Sequence, residues 1–318
     1  MAYSIKHVTN FRYKPSVRES VMEVRVQPRS DARQRCLTFQ LDVHPQANIM
    51  LYRDFLGNTV HHFDIPGTSA HIQVAAQSLV DLVTAPLPQL ADAGDWDELD
   101  ARVAAGDFWE MLLPSAFARP TDELEKLAGE LNLGRRGNPL ELLWELNDAV
   151  YQAFDYVPNS TAVDSPIDEA LKSRQGVCQD FAHIMTALLR KLKIPCRYVS
   201  GYLFHEAKAH DRSPAGATHA WVEAFLPELG WVGLDPTNNL VCAERHIRVA
   251  IGRDYADVPP TRGVYKGEAE SELSVQVSVL PVDSPEPEEL PAATVIRSRP
   301  LSSDREPAFY DQQQQQQQ

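Results

Sequence analysis

The stretch GVCQDFAH, Gly176–His183, decides how the chain is read. A Gly-Val step leads into a cysteine, and a helical pattern starts there. Phe181, Ile184, Met185, Leu188 and Leu192 recur at helical spacing on one face. Arg190, Lys191 and Lys193 load the C-terminal end, where the helix dipole favours cations, and Ile194-Pro195 stops the run. Cys178 therefore stands at the start of an amphipathic helix. Two readings compete: a nucleophile set where unpaired N–H groups stabilise a thiolate, or a small buried residue that begins a helix.

The segments downstream bear on the choice. CRYVSGYLF (residues 196–204), HAWVEAFLP (219–227) and GWVGLDPTNN (230–239) read as strands. In the second, His219, Trp221, Glu223 and Phe225 share one face, and Ala220, Val222 and Ala224 the other. Asp235 ends the third strand just before Pro236. A carboxylate at one strand end, beside a histidine on the next, can fix the imidazole's tautomer and stabilise its charged form. Cys178, His219 and Asp235 could thus be a nucleophile, base and orienting acid, an order that recurs on several folds.

The other histidines fit less well. His183 lies about 140° around the helix from Cys178, which makes it a packed or surface residue. His61 and His62 are adjacent in a strand and face opposite ways. His205 and His210 lie in a polar loop and could join His219 at a metal, but no further ligand has the required spacing. His246 has no assigned place. No metal or cofactor is expected. The four cysteines, Cys36, Cys178, Cys196 and Cys242, are scattered without a CxxC pair, which argues against a disulfide framework or a cysteine-based zinc site. Cys196 and Cys242 read as structural, Glu223 as facing solvent, and Trp221 and Trp231 as core more than cleft wall.

The first ~85 residues have a different rhythm, with the alternation of short strands. Met22, Val24 and Val26 alternate with Glu23, Arg25 and Gln27; Leu37, Phe39, Leu41 and Val43 alternate with Thr38, Gln40 and Asp42. SAHIQVAA (69–76) is a third candidate strand, and Gly57-Asn58 marks a hairpin turn. This portion, residues 1–85, is expected to be an antiparallel β-sandwich. Residues 86–282 read as a helical lead-in followed by the core of helix and antiparallel strands, an α+β arrangement. Thr121 can cap one lead-in helix, Asn138-Pro139 starts another carrying Leu143, Leu146, Val150 and Phe154, and Ser165-Pro166 repeats that start signal. Residues 283–318 are rich in Pro, Glu and Ser, end in seven Gln, and are expected to be disordered.

The 318-residue length allows two hydrophobic cores, and the net charge of −14 argues against nucleic acid and anionic membrane as partners. No signal peptide or membrane-spanning stretch is read, so the cytoplasm is the default expectation.

Four segments in order resemble the bacterial form of the transglutaminase-like superfamily. FDYVPNST (154–161) is similar to its segment upstream of the nucleophile, and residues 173–203 to its nucleophile helix and following strand. THAWVEAFLPELGWVGLDPTNN (218–239) is similar to its His and Asp strands, and HIRVAIGRDYADVPPTRGVYKG (246–267) to a segment after the core. The β-rich start resembles the small N-terminal domain of these proteins. The resemblance implies a papain-like fold with Cys178 as nucleophile, His219 as base and Asp235 as acid, acting on a peptide or protein substrate. The implied chemistry is acyl transfer from an amide through a thioester, resolved by water (protease, isopeptidase or deamidase) or by an amine (transamidase). A binding or scaffolding module on the same fold is the further alternative. The Cys178 N–H is the implied oxyanion donor, with Tyr156 and Gln175 as candidates for a second. Trp221 is a candidate cleft residue. Calcium-dependent animal transglutaminases carry Trp directly after the nucleophile; Gln179 stands there in this chain, and no acidic loop has calcium-ligand spacing.

Overall fold

The computed structural model describes residues 1–83, 86–106, 108–206 and 208–282, together with the backbone of 294–298 and 310–311. Its elements in chain order begin with strands β1 (Ala2–Val24), β2 (Gln34–His44), β3 (Met50–Arg53) and β4 (Thr59–Leu82). Helices α1 (Trp96–Ala104), α2 (Trp109–Leu112), α3 (Asp122–Glu130) and α4 (Pro139–Ala153) follow. Then come β5 (Asp155–Tyr156), α5 (Ile167–Ser173), β6 (Gln175–Gly176) and α6 (Cys178–Lys191). The remaining strands are β7 (Cys196–Leu203), β8 (His219–Leu226), β9 (Gly230–Asp235), β10 (Leu240–Val241), β11 (His246–Gly252), β12 (Thr261–Lys266), β13 (Glu270–Pro281), β14 (Thr294–Ser298) and β15 (Tyr310–Asp311). The chain is α+β, with two antiparallel sheets and a short parallel pair, β5–β6. Among the described residues no helix is long and apolar enough to cross a membrane.

The β-rich start forms an antiparallel sheet centred on β1. Tyr3, Ile5, Phe11, Tyr13 and Val17 are buried, and then the phase changes to Met22 and Val24. The change falls where the β1–β4 register shifts, between Arg12 and Val17 and again between Arg18 and Ser20. Because side chains alternate with period two, a slip of one residue exchanges the faces, and these irregularities keep both halves of β1 facing the core. The expected hairpin at Gly57-Asn58 joins β3 to β4, with Gly57 at φ 74°.

The far side of β1 is paired by strands from the other end of the chain. β13 runs along Tyr3–Lys14, and β12 along Arg18–Val24. Residues 261–281, expected from the sequence to belong with the core, thus belong by hydrogen bonding to the N-terminal sheet. The physical reason is edge satisfaction: with β4 on one side only, β1 would present a long unpaired edge. Within the tail expected to be disordered, β14 pairs with β13 and β15 with β12. Residues 283–293, 299–309 and 312–318 lie outside the described residues.

The second sheet has the order β10-β9-β8-β7-β11. Ala220, Val222 and Ala224 share a buried core with Phe181, Ile184, Met185 and Leu188, which seats α6 against β8. Trp221, Val199 and Ile251 form a separate cluster on the other face. The helix starts read from sequence are present. Thr121 accepts the Leu124 N–H at 3.2 Å, and Asn138 accepts that of Leu140 at 2.8 Å. At α5 the cap position falls on Pro166, while Ser165 bonds to Ala162 and Glu169.

The N-terminal sheet docks on β11, an edge of the second sheet, through two buried carboxamides. Gln34 exchanges hydrogen bonds with both backbone groups of Arg248, at 2.8 and 2.9 Å, and Asn58 does the same with Ile251, at 2.8 and 2.9 Å. Each amide substitutes for a missing strand.

Candidate active site

Cys178 is the first residue of α6. Three hydrogen bonds hold the approach to it. Asp180 accepts the Val177 N–H at 2.8 Å and the Thr161 hydroxyl at 2.6 Å, and Gln179 donates to the Val163 carbonyl at 2.9 Å. Residues 161–163 are thereby fastened to the helix start. A Cβ at Gly176 would stand 2.8 Å from the Asp180 side chain, so the close approach of β6 to the helix start needs glycine. Burial pushes the Asp180 carboxyl up to about 6, against the lowering effect of its two hydrogen bonds.

His219 begins β8, and Asp235 ends β9 beside it. His219 Nε2 donates to Asp235 Oδ2 at 2.7 Å. That contact sets the tautomer. Nδ1 has no hydrogen-bond partner among the described residues and is left to Cys178, whose proximity helps to raise the imidazole's pKa. The three residues singled out from the sequence are therefore brought together: Cys178, His219 and Asp235 are 1%, 2% and 0% exposed. Burial alone would push the His219 imidazole down; the Asp235 charge and hydrogen bond, followed by Cys178, outweigh it and raise it to about 10. Burial would likewise raise the Asp235 carboxyl, but the His219 charge and hydrogen bonds from His219 and His246 hold it well below the usual carboxylate range.

Asp235 is held from several directions. Oδ1 accepts the Thr237 N–H at 3.0 Å and the Asn238 N–H at 3.3 Å. Oδ2 also accepts from Asn238 Nδ2 at 2.8 Å and from His246 Nε2 at 3.2 Å. Trp221 packs under this network, stacked on His219 with ring centroids 6.1 Å apart and edge-on to His246 at 5.2 Å. A Cβ on Gly201 would meet the Trp221 ring at 2.5 Å and the Ile247 carbonyl at 2.2 Å, so only glycine lets the indole lie over β7.

The remaining candidates from the sequence separate. The Tyr156 hydroxyl is buried and has no hydrogen-bond partner among the described residues. Burial, then the charges of Cys178 and Asp180, push its pKa up, and its strand partner is Gly176, two residues before Cys178. Gln175 is exposed on β6. Trp221 is fully buried, the core position expected for it, although it also supports His219. His183 is packed within the core and accepts the Tyr255 N–H at 3.1 Å. His205 bonds to Asp211 at 3.1 Å.

Glu223 corrects the expectation of a solvent-facing carboxylate. It is 3% exposed and bridges Arg197 at 2.6 Å and Arg248 at 3.4 Å. These two cations, Arg197 from β7 and Arg248 from β11, make its burial tolerable. His246 is the functional-site neighbour that sequence reasoning missed. Its sole local signal is a histidine at the head of an alternating strand, and nothing in the segment says that this strand ends beside Asp235. His219, Asp235 and His246 present ligand atoms within 4.8 Å of one another, the one grouping among the described residues suited to hold a metal ion. Both imidazoles already reach the same carboxylate oxygen through N–H groups, so hydrogen bonds close the cluster as it stands.

A cysteine at the head of a buried helix, facing an imidazole held by a carboxylate on an antiparallel sheet, defines the papain-like class of cysteine-enzyme folds. The chain belongs to the transglutaminase-like superfamily. The superfamily's family model matches residues 127–236, and that of the bacterial transglutaminase-like N-terminal region matches residues 3–81. An uncharacterized protein of Mycobacterium leprae is 32% identical over 276 residues, which is 86% of this chain and 97% of that protein. One from Mycobacterium tuberculosis is 34% identical over 295 residues, 88% of this chain and 93% of the other. A crystal structure of a candidate cysteine protease from Cytophaga hutchinsonii has a TM-score of 0.72 at 25% identity, covering 90% of this chain and 92% of that one.

Proposed function

We propose that the protein transfers acyl groups from amide bonds of peptides or proteins, with Cys178 as nucleophile, His219 as base and Asp235 as the group that orients and stabilises the imidazolium. The observation that carries this reading is the His219 ring, whose Nε2 is held by Asp235 at 2.7 Å while its other nitrogen is left to the Cys178 thiol. Proton transfer from the thiol to His219 gives a thiolate–imidazolium pair, and the thiolate attacks the amide carbonyl. The Cys178 N–H at the helix head and the unpartnered Tyr156 hydroxyl supply oxyanion donors. His219 then protonates the leaving amine, a thioester remains on Cys178, and water resolves it.

A groove of about 580 Å³ runs past Asn159, Thr161, Asp164, Ser165 and Glu169, next to the helix head to which Thr161 is bonded. Hydrolysis is the preferred outcome, as in a protease, isopeptidase or deamidase.

One observation favours an amine as acceptor instead. A protein-glutamine gamma-glutamyltransferase of Pseudomonas aeruginosa is 32% identical over 128 residues, although this is 36% of the present chain and 18% of that enzyme. Incubation with a labelled primary amine and a protein mixture separates the two: amine incorporated into protein through Cys178 overturns hydrolysis as the preferred outcome. A thiol probe tests the reading as a whole. If Cys178 reacts no faster than a free thiol at pH 6, the activated-nucleophile reading fails and a binding module on this fold takes its place.

A further inference from the structure

We propose that His246 is a positioning residue for the Cys178–His219–Asp235 trio, holding the Asp235 carboxylate from the far strand β11. The proposal rests on the acyl-transfer reading and goes beyond its three residues.

The donors to Asp235 come from different parts of the fold. Thr237 and Asn238 belong to the same turn as the carboxylate and move with it. His219 is the partner to be oriented. Among the described residues, His246 is the donor to Asp235 that belongs to neither β8 nor this turn. It ties the carboxylate to β11, across β8 and β7 in the sheet order. β11 in turn is gripped by Gln34 and Asn58 of the N-terminal sheet at Arg248 and Ile251. The restraint therefore runs from the N-terminal sheet through β11 to Asp235.

The chemistry of the side chain fits this task better than simple filling. His246 is buried, and its Nδ1 has no partner among the described residues. An apolar side chain of similar size would avoid that unsatisfied nitrogen. What the imidazole adds is the Nε2–H to Asp235. Burial holds its pKa below the ordinary value, against the pull of Asp235, with His219 and Arg245 adding repulsion. A neutral donor steadies the carboxylate and leaves its charge to the His219 imidazolium. Trp221, edge-on to His246 and stacked on His219, keeps the two rings apart at a centroid distance of 6.2 Å.

The experiment compares iodoacetamide alkylation of Cys178 at pH 7 in the full chain, followed by peptide mass mapping, for wild type, His246→Leu, His246→Gln and Asp235→Asn, with thermal melting of each. Glutamine carries an amide N–H at about the reach of histidine Nε2. The expected result is about tenfold slower alkylation for His246→Leu and recovery to within about threefold of wild type for His246→Gln. If His246→Leu fails to fold, His246→Asn replaces it; its shorter side chain withdraws the N–H from Asp235 and is expected to slow alkylation to the same degree. Equal rates for His246→Leu and wild type, or equal loss in the Gln and Leu variants, overturn the proposal. A failure of the acyl-transfer reading looks different: wild-type Cys178 then reacts like a free thiol and Asp235→Asn changes nothing, and the positioning role falls with it.

Discussion

The side chain of Gln34 makes both hydrogen bonds that a neighbouring strand would offer Arg248, its Nε2 donating to the carbonyl at 2.8 Å and its Oε1 accepting the N–H at 2.9 Å. Asn58 repeats the arrangement at Ile251. Truncating either amide strands a buried backbone N–H on the edge of the second sheet, although the Arg248 carbonyl keeps the Arg29 N–H at 3.0 Å. Gln34→Ala and Asn58→Ala are each expected to cost about 2 kcal/mol, measured by urea denaturation. Stability equal to wild type in both would show that water replaces the amides.

Gly201 carries the close approach between β7, Trp221 and β11. Because a methyl group there would collide with the Ile247 backbone at 2.2 Å, the clash cannot be relieved by a rotamer change. Gly201→Ala is expected to destabilise the protein by about 3 kcal/mol. Lys126→Ala, a solvent-exposed change on α3, is the reference. The thermal midpoint of Gly201→Ala should fall well below that of the reference, and equal midpoints would show that the strands separate at little cost.

Cys178→Ala should keep the fold and lose thiol labelling at this position and all acyl transfer. The change removes one sulfur from a residue at the helix head, and the Ala has high helix propensity. Melting within a few degrees of wild type, together with complete loss of product in the amine or hydrolysis assay, is the expected pair of results. Retained turnover would exclude Cys178 as the nucleophile.

The His219–Asp235 pair sets opposite limits on stability with pH. The folded His219 imidazole is raised to about 10 from 6.5, so its contribution is fully present below pH 6.5 and lost as pH rises through about 10. The Asp235 carboxyl is lowered from 3.8, so its contribution is present above that value and lost as pH falls further. Denaturant melts across pH 5–11 should show wild type losing stability on the alkaline side and His219→Gln losing markedly less. Parallel curves would refute the assignment of the charge to this imidazole.

Asp180 works in the sense opposite to Asp235. Its folded carboxyl is raised from 3.8 to about 6, so the stability it contributes is complete below pH 3.8 and is lost as pH rises through about 6. Asp180→Asn keeps an acceptor for the Val177 N–H and cannot ionise. It is expected to remove the part of the pH 4–6 slope that this carboxyl causes, read from the same denaturant series. An unchanged slope would show that the carboxyl titrates at its ordinary value.

The features legible in the sequence are those a segment encodes in its own neighbourhood. Thr121 and Asn138-Pro139 announce helix starts because a cap bonds to N–H groups two or three residues on. The apolar stripe of α6 and the alternation of β8 follow from the periods of helix and strand. The same stripe says nothing of how the polar side of α6 is accommodated. Asp180, His183 and Arg190 are buried as well, because Thr161, the Tyr255 backbone and the carbonyls of Ala118 and Arg253 receive them from elsewhere in the chain.

By itself, then, the sequence determined the helix that begins at Cys178, the strands that place His219 and Asp235 at adjacent ends, and the resemblance that joins them. Only the tertiary structure decided that residues 261–281 return to flank β1, that Glu223 is buried between Arg197 and Arg248, and that His246 reaches Asp235. The reason is physical. Period and capping are local properties, whereas an unpaired strand edge or a buried charge is satisfied by whichever distant segment the whole fold brings to it.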